Sequence, residues 1–399
     1  MRWQRLIIPV YGPTALASIG MGATLPLIAL TARSLGADVG TAALLVGLIG
    51  LGQLLGDLPA GAIAHRFGER RALVGAGLVE VLAFGTAFLA RDVAVLAAAV
   101  LVMGLANAVF GLARHAYLTE AVPIRNRAKA LSALGGTFRI GTFIGPFLAA
   151  GMLLVVPMSW VYGFAAVMSL GAALLAMTLP DLPTAAGPAG DAEPAAPRAA
   201  ARGLSMWQVL YAHRRVLLLL GSGILTISAV RAARQGIVPL WCEHIGLDAS
   251  TASIVYGISG AVDMLMFLPG GALMDRMGRV WGAVPAMIVL GLGFVLLPLS
   301  HGLGGVIAVA CLLGLGNGFS SGIVMTLGAD EAPMVGRAKF LGGWRLCADI
   351  GGATGPFLIS AVTLLVSLGA ASVAIGVVGW LGAGWLARWI GRVGPNRLR

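Results

Sequence analysis

Four charged side chains in this chain sit where charge is hardest to keep. Asp263, Asp349, Arg139 and Arg345 all fall inside long apolar stretches. Asp263 lies twelve residues before the charged turn at Asp275, roughly 18 Å along a helix. Arg139 lies ten residues after Lys129, and Asp349 ten after Lys339, each roughly 15 Å deep. In a hydrocarbon core about 30 Å thick these are mid-depth positions. Ionisable groups there are costly and mark function. An acid so placed can take up and release a proton, with burial and a movable arginine setting when. Arg345 and Asp349, four residues apart, share a helix face.

More polar groups lie at similar depths. Arg231, Arg234 and Gln235 fall in the outer half of one apolar stretch, and Arg114 and His115 in the inner half of another. Asn107, Asn317 and Gln53 add hydrogen-bonding groups. Arginine suits a carboxylate, a phosphate or an aromatic face. A cavity lined by these residues is basic, so an anionic or zwitterionic amphiphile fits it better than a simple cation. The alternatives are that Arg231 and Arg234 are neutralised by Asp263, or that they turn toward other helices.

The elements that must position these groups are membrane spans. Hydrophobic residues make up 58% of the chain and charged residues 11%, whereas soluble domains carry about 25% charged residues. Mean hydropathy is +0.93. Apolar runs long enough to span a bilayer are predicted at 6–31, 40–64, 71–90, 93–120, 130–155, 158–179, 216–240, 249–274, 280–299, 303–327, 340–365 and 368–390. Each must satisfy its own backbone in lipid, so all are expected to be helices. The net charge of +11 is topology rather than a nucleic-acid footprint. Arginines gather before span 1, between even- and odd-numbered spans, and after span 12, whereas the opposite loops hold little more than Arg33 and Arg91. That distribution predicts cytoplasmic termini. The alanine-, glycine- and arginine-rich usage suggests the inner (cytoplasmic) membrane of a bacterium. Residues 181–205, rich in proline, alanine and glycine, cannot bury a core and read as a disordered tether between bundles at 1–180 and 206–399. Leu204 to Arg215 reads as a short amphipathic helix on the membrane surface.

The two bundles are copies. Gly61-Ala-Ile-Ala-His65-Arg66-Phe-Gly68 recurs as Gly271-Ala-Leu-Met-Asp275-Arg276-Met-Gly278, an offset of 210 residues. The same offset relates Gly36 to Gly246, Asp38 to Asp248, Asn107 to Asn317, and Gly145-Pro146 to Gly355-Pro356. It also relates Lys129 to Lys339, the only two lysines in the chain. Near the start of each half the register slips, and Pro26 aligns with Pro239. An apolar chain with duplication of this size has the organisation of a secondary transporter.

The loop motif resembles the signature between the second and third helices of the major facilitator superfamily. The second copy fits well. The first departs from it, with His65 in place of the usual acid. Tyr117 to Pro123 followed by Arg127 is similar to the end of the family's fourth helix. Gly141 to Pro146 resembles the glycine-proline motif in the fifth helix of the family's exporters, many of them drug/proton antiporters. The resemblance implies an all-α fold of twelve transmembrane helices in two pseudo-symmetric six-helix bundles. In that fold, helices 1, 4, 7 and 10 line a cavity, helix 5 faces helix 8, and helix 2 faces helix 11. Arg139 is therefore expected to pair with Asp263, and Gln53 to lie near Asp349. Either acid is the candidate proton carrier, and a permanent structural ion pair is the alternative.

A gating latch is expected at the basic end. Gly61 and Gly271 would let helices approach, and Gly145-Pro146 and Gly355-Pro356 are expected to bend helices 5 and 11 for gating, with packing alone as the alternative. Arg66 and Arg276 would bind helix-end carbonyls or the acids Glu120 and Asp330, with Asp275 and Arg127 nearby. Asp57 reads as part of the latch, or as a second titrating acid. His65 reads as a hydrogen-bonding group, with pH sensing as the alternative. Glu80 reads as structural.

These residues predict a transporter that moves small amphipathic organic compounds by alternating access, in proton-coupled efflux. A carrier of organic anions or lipid-like compounds is the alternative. The expected partners are substrate, protons and membrane lipid, with no nucleic acid, in a monomer. There is no phosphate-cradling loop for ATP, no metal-ligand spacing and no cofactor motif. Cys242, Cys311 and Cys347 read as apolar packing. No nucleophile and base converge at depth, which argues against an enzyme.

Overall fold

The computed structural model describes residues 7–180 and 205–393. The tether expected at 181–205 lies outside the described residues except for Ser205, as do both chain ends. The first half contains α1 (Ile7–Thr24), α2 (Leu27–Ser34), α3 (Val39–Phe67), α4 (Glu69–Leu89), α5 (Val93–Ala121), α6 (Ile124–Leu153) and α7 (Ser159–Met177). The second contains α8 (Met206–Ala212), α9 (Arg214–His244), α10 (Ala249–Met277), α11 (Arg279–Leu296), α12 (Leu303–Glu331), α13 (Arg337–Leu365) and α14 (Leu368–Trp389). No strand occurs among the described residues.

Ten of these helices are long and apolar enough to cross a membrane, or eleven if α1 and α2, bent by 43°, form one span. The remaining long helix is α6, whose 30 residues carry Arg139 and a basic first turn. It begins six residues before the apolar run that marked it, because Arg125, Arg127 and Lys129 are good helix formers and lie inside it. The bend between α1 and α2 falls at Leu25-Pro26, where Pro26 has no N–H to continue the ladder. This is also where the 210-residue register slips, since α9 runs on through Pro239.

The duplication is visible in the backbone. Gly36 and Gly246 have φ of 94° and 82°, and Gly68 and Gly278 have 85° and 95°. Both pairs are 210 residues apart and occupy the left-handed region that glycine enters without strain. Asp38 and Asp248 cap α3 and α10, each accepting a backbone N–H at 2.9 Å, from Thr41 and Thr251. Hydrogen bonds from the side chains of Thr41 and Thr251, and then from their backbone N–H groups, hold both carboxyls below their ordinary pKa.

Close helix packing repeats at the same offset. Gly104 of α5 rests on the Ile49 carbonyl, and Gly314 of α12 on that of Ser259. Gly141 and Gly145 of α6 seat against Ser18 and Ala23 of α1. Gly351 and Gly355 of α13 seat against Leu225 and Ala229 of α9. Small residues four apart permit this approach, which dispersion then rewards. Both helices run unbroken through Pro146 and Pro356.

The halves meet along α3 with α13 and α6 with α10. On the side away from the basic loops this seam is tight. A Cβ on Gly47 would lie 2.8 Å from Phe357, and one on Gly257 2.8 Å from Phe147. Ser250 Oγ donates to the Ala150 carbonyl at 2.9 Å. Arg33 Nε contacts both carboxylate oxygens of Glu243, at 3.2 and 3.3 Å, and its Nη1 donates to the Ala37 carbonyl at 2.6 Å. Arg33 and Glu243 are 210 residues apart, so they are repeat mates that pair with each other.

This pair bridges the two halves on that side, and a charge swap tests whether it holds the seam shut. Arg33→Glu alone is expected to raise labelling of a cysteine at Val46 by a membrane-impermeant thiol reagent roughly two- to fivefold, the scale of one partly exposed ion pair. The swap Arg33→Glu with Glu243→Arg should restore the low labelling. Equal labelling in all variants would remove the gate role.

Candidate functional site

A cavity of about 500 Å³ lies between the halves, walled by α1, α3, α5, α6, α9, α10, α12 and α13. Val46 and Ile49, 2% and 4% exposed, form its closed end. Met325 also lines it and is 77% exposed. Met325 lies eight residues beyond Asn317, so the cavity opens toward the basic loops.

Asp263 is at the centre. Its Oδ1 meets Arg139 Nη1 at 3.3 Å and Ser321 Oγ at 3.5 Å. Its Oδ2 accepts from Asn317 Nδ2 at 2.6 Å and lies 3.8 Å from Arg234 Nη2. Asn317 then accepts from Arg231 Nε at 2.8 Å. A single amide thus links the acid to a third arginine, and the donors and acceptors on either side fix its orientation. Arg234 Nη1 donates to Ser259 Oγ at 2.6 Å, and the guanidinium lies 5.4 Å from the Tyr256 ring centroid. Arg139 lies 4.3 Å from the Phe267 centroid. Arg231 makes no other hydrogen bond among the described residues.

One carboxylate therefore serves three guanidiniums. If all are ionised, two positive charges are left over at mid-depth, where an unpaired charge is costly. Around this core stand Gln53, Asn107 and Gln235, with Phe138, Phe143 and Met264 as apolar walls.

A second polar group borders the cavity nearer the basic side. Arg345 Nη2 donates to Asp57 Oδ1 at 2.9 Å across the halves, and its Nε lies 3.6 Å from Asp349 Oδ2 on its own helix. Asp57 Oδ2 is buried without a hydrogen-bond partner. Asp349 and Gln53 both line the cavity. Asp57 is thus the partner of Arg345. Sequence reasoning did not pair them because the register relates equivalent helices, whereas this contact joins α3 to the non-equivalent α13.

Several expected placements are corrected. Arg114 does not line the central cavity. It lies 5.0 Å from the Phe138 centroid and borders a separate small void with Thr14 and Tyr117. His115 is exposed, and its Nδ1 sits 2.7 Å from the Gly111 carbonyl of its own helix. A Cβ on Gly61 or Gly271 would meet nothing within 4 Å. The close approach falls one residue earlier, at the buried Ala60 and Gly270, because a helix turns about 100° per residue. Asp330 pairs with Arg279 at 2.7 Å rather than with Arg276, and Arg279 also holds Asp275 at 3.1 Å. The left-handed turn at Gly278 starts α11 on Arg279 and aims it back at both acids. Arg66 stacks on Phe67 at 5.5 Å, and no ion pair joins it to Glu120 among the described residues. His65 is exposed beside it. Arg127 donates to the Val122 carbonyl at 3.1 Å. Glu80 is buried on α4 and accepts from Ser169 Oγ at 3.3 Å.

Two interlocking helical bundles around a polar cavity at mid-depth define a membrane transport protein. The profile of the Major Facilitator Superfamily matches residues 13–356, and the chain belongs to that family. Its fold is similar to that of the nucleoside transporter NupG, with TM-score 0.76 and 14% identity over 96% of this chain and 100% of that one. It is also similar to the human organic anion transporter MFSD10, with TM-score 0.67 and 16% identity over 97% of this chain and 100% of that one. At such identities the likeness concerns the fold alone. No curated protein sequence matches the chain.

Proposed function

We propose that this protein is a secondary active transporter of small amphipathic organic anions, working by proton-coupled efflux across a bacterial cytoplasmic membrane. The observation that supports this reading is the ratio of three guanidiniums to one carboxylate around Asp263. A substrate carboxylate or phosphate supplies the missing negative charge. Arg231, held only at Nε by a protein side chain, is the arginine free to receive it in a bidentate fork. Phe138, Phe143 and Met264 take the apolar remainder. The opening toward the basic side is an opening toward the cytoplasm under the charge rule, which suits loading from inside.

Proton coupling is assigned to Asp349 with Asp57, not to Asp263. Arg139, Arg234 and the Asn317 amide nitrogen can only donate to Asp263, so protonation there would lose two ion pairs and leave only the Ser321 hydroxyl, at 3.5 Å, as an acceptor. Asp57 and Asp349 share one guanidinium, and the partnerless Asp57 Oδ2 is the atom a shared proton would satisfy.

Ligand-induced thermal stabilisation tests the substrate class. Anionic amphiphiles are expected to raise the melting temperature, and matched cationic ones to leave it unchanged. Arg231→Gln should weaken anion binding roughly 10- to 100-fold, the scale of one charge-assisted hydrogen-bonded contact. Stabilisation by cations alone would overturn the reading.

A further inference from the structure

The short helix α8 is too brief to be stable alone, yet it is well built. Ser205 and Gln208 cap it reciprocally, at 3.1 and 2.7 Å. One face is glued to the start of α13. Val209, 2% exposed, lies under Gly336, where a Cβ would come within 2.9 Å of it. Leu210 fills the space over Gly343, and the His213 ring meets Phe340 edge-on at 5.7 Å.

The other face carries Trp207 and Tyr211, four residues apart and 78% and 69% exposed. Arg214 lies 4.4 Å from the Tyr211 ring centroid, and Arg215 beside it is exposed. Leu218, one turn further into the first turns of the membrane-spanning α9, is 68% exposed. No acidic residue occurs from Ser205 to Cys242. Along the chain the rings at 207 and 211 and the arginines at 214 and 215 lie together just before the lipid-facing Leu218, and aromatic and basic residues gathered at the end of a membrane span mark the headgroup level.

We propose that Trp207, Tyr211, Arg214 and Arg215 bind an anionic phospholipid of the leaflet on the basic side. The rings sit at the glycerol level, and the two guanidiniums take the phosphodiester and its net charge. Bound lipid holds α8 on α13, the helix that carries Arg345 and Asp349. The site stands whether or not the transported compound is an anion.

The test uses the full chain in nanodiscs of phosphatidylcholine with or without phosphatidylglycerol. Brominated phosphatidylglycerol is expected to quench a component of the tryptophan fluorescence that Trp207→Phe removes, and to do so more strongly than brominated phosphatidylcholine. Arg214→Gln with Arg215→Gln should reduce that preference roughly 25-fold, about fivefold per arginine. Inorganic phosphate should not compete, because it lacks the acyl chains; competition by it would overturn the lipid assignment in favour of a soluble anion. Equal quenching by the two lipids, or a preference unchanged in the double variant, would also overturn it. Both variants alter exposed side chains, so unchanged melting temperatures are expected and confirm folding.

Discussion

Asp263→Asn is expected to abolish transport and to lower the melting temperature. The carboxylate is 14% exposed, and its guanidinium partners Arg139 and Arg234 are 21% and 8% exposed. Removing one member of a buried pair costs about 3–5 kcal/mol, because the other charge stays behind. Here three arginines stay behind, one of them through Asn317. The new amide also brings donors toward Asn317 Nδ2, which already donates at 2.6 Å. A double variant separates stability from function. Asp263→Asn with Arg139→Gln removes a negative and a positive charge together, and should recover much of the lost melting temperature without recovering flux. If Asp263→Asn alone transports at the normal rate, Asp263 is not the anchor of the arginine cluster.

The contrast between Asp263 and Arg33 shows what a sequence can and cannot reveal here. The duplication was legible because backbone requirements repeat. Gly36, Gly68, Gly246 and Gly278 must all be glycine to hold positive φ, and Asp38 and Asp248 must both cap a helix. Identical local demands leave identical residues, so an offset of 210 survives over long divergence. The contacts between the halves follow another rule. Arg345 meets Asp57, and Arg139 meets Asp263, across seams that join non-equivalent helices. No periodicity within either half encodes them, and only the resemblance to a known fold pointed to which helices face each other. The Arg33–Glu243 pair lies between these cases. The register itself places opposite charges on repeat mates, and residues near a two-fold axis meet their own mates. That signal was present in the sequence and went unread. Arg114 was misplaced for a simpler reason: a span shows which residues lie at a given depth, but packing decides which way each one points.

Asp349→Asn is expected to uncouple the carrier from the pH gradient while leaving substrate exchange intact. Asn at 349 keeps the size of the side chain and leaves Arg345 with Asp57 as a one-to-one pair at 2.9 Å. The charge balance of the seam then no longer depends on a proton. In proteoliposomes given an anionic substrate on the outside, an imposed pH gradient should drive accumulation by the wild type and not by the variant. Counterflow between equal substrate pools should persist, because the arginine cluster at Asp263 is untouched. Asp57→Asn should uncouple as well, and should also loosen the contact between α3 and α13, since it removes the carboxylate that Arg345 reaches across the halves. Arg345→Gln distinguishes coupling from mere adhesion. It leaves two carboxyls side by side without their cation, so if the site holds a proton, the pH dependence of flux should shift rather than vanish. Normal pH-driven accumulation by Asp349→Asn would remove the acid pair from the coupling mechanism and return attention to Asp263.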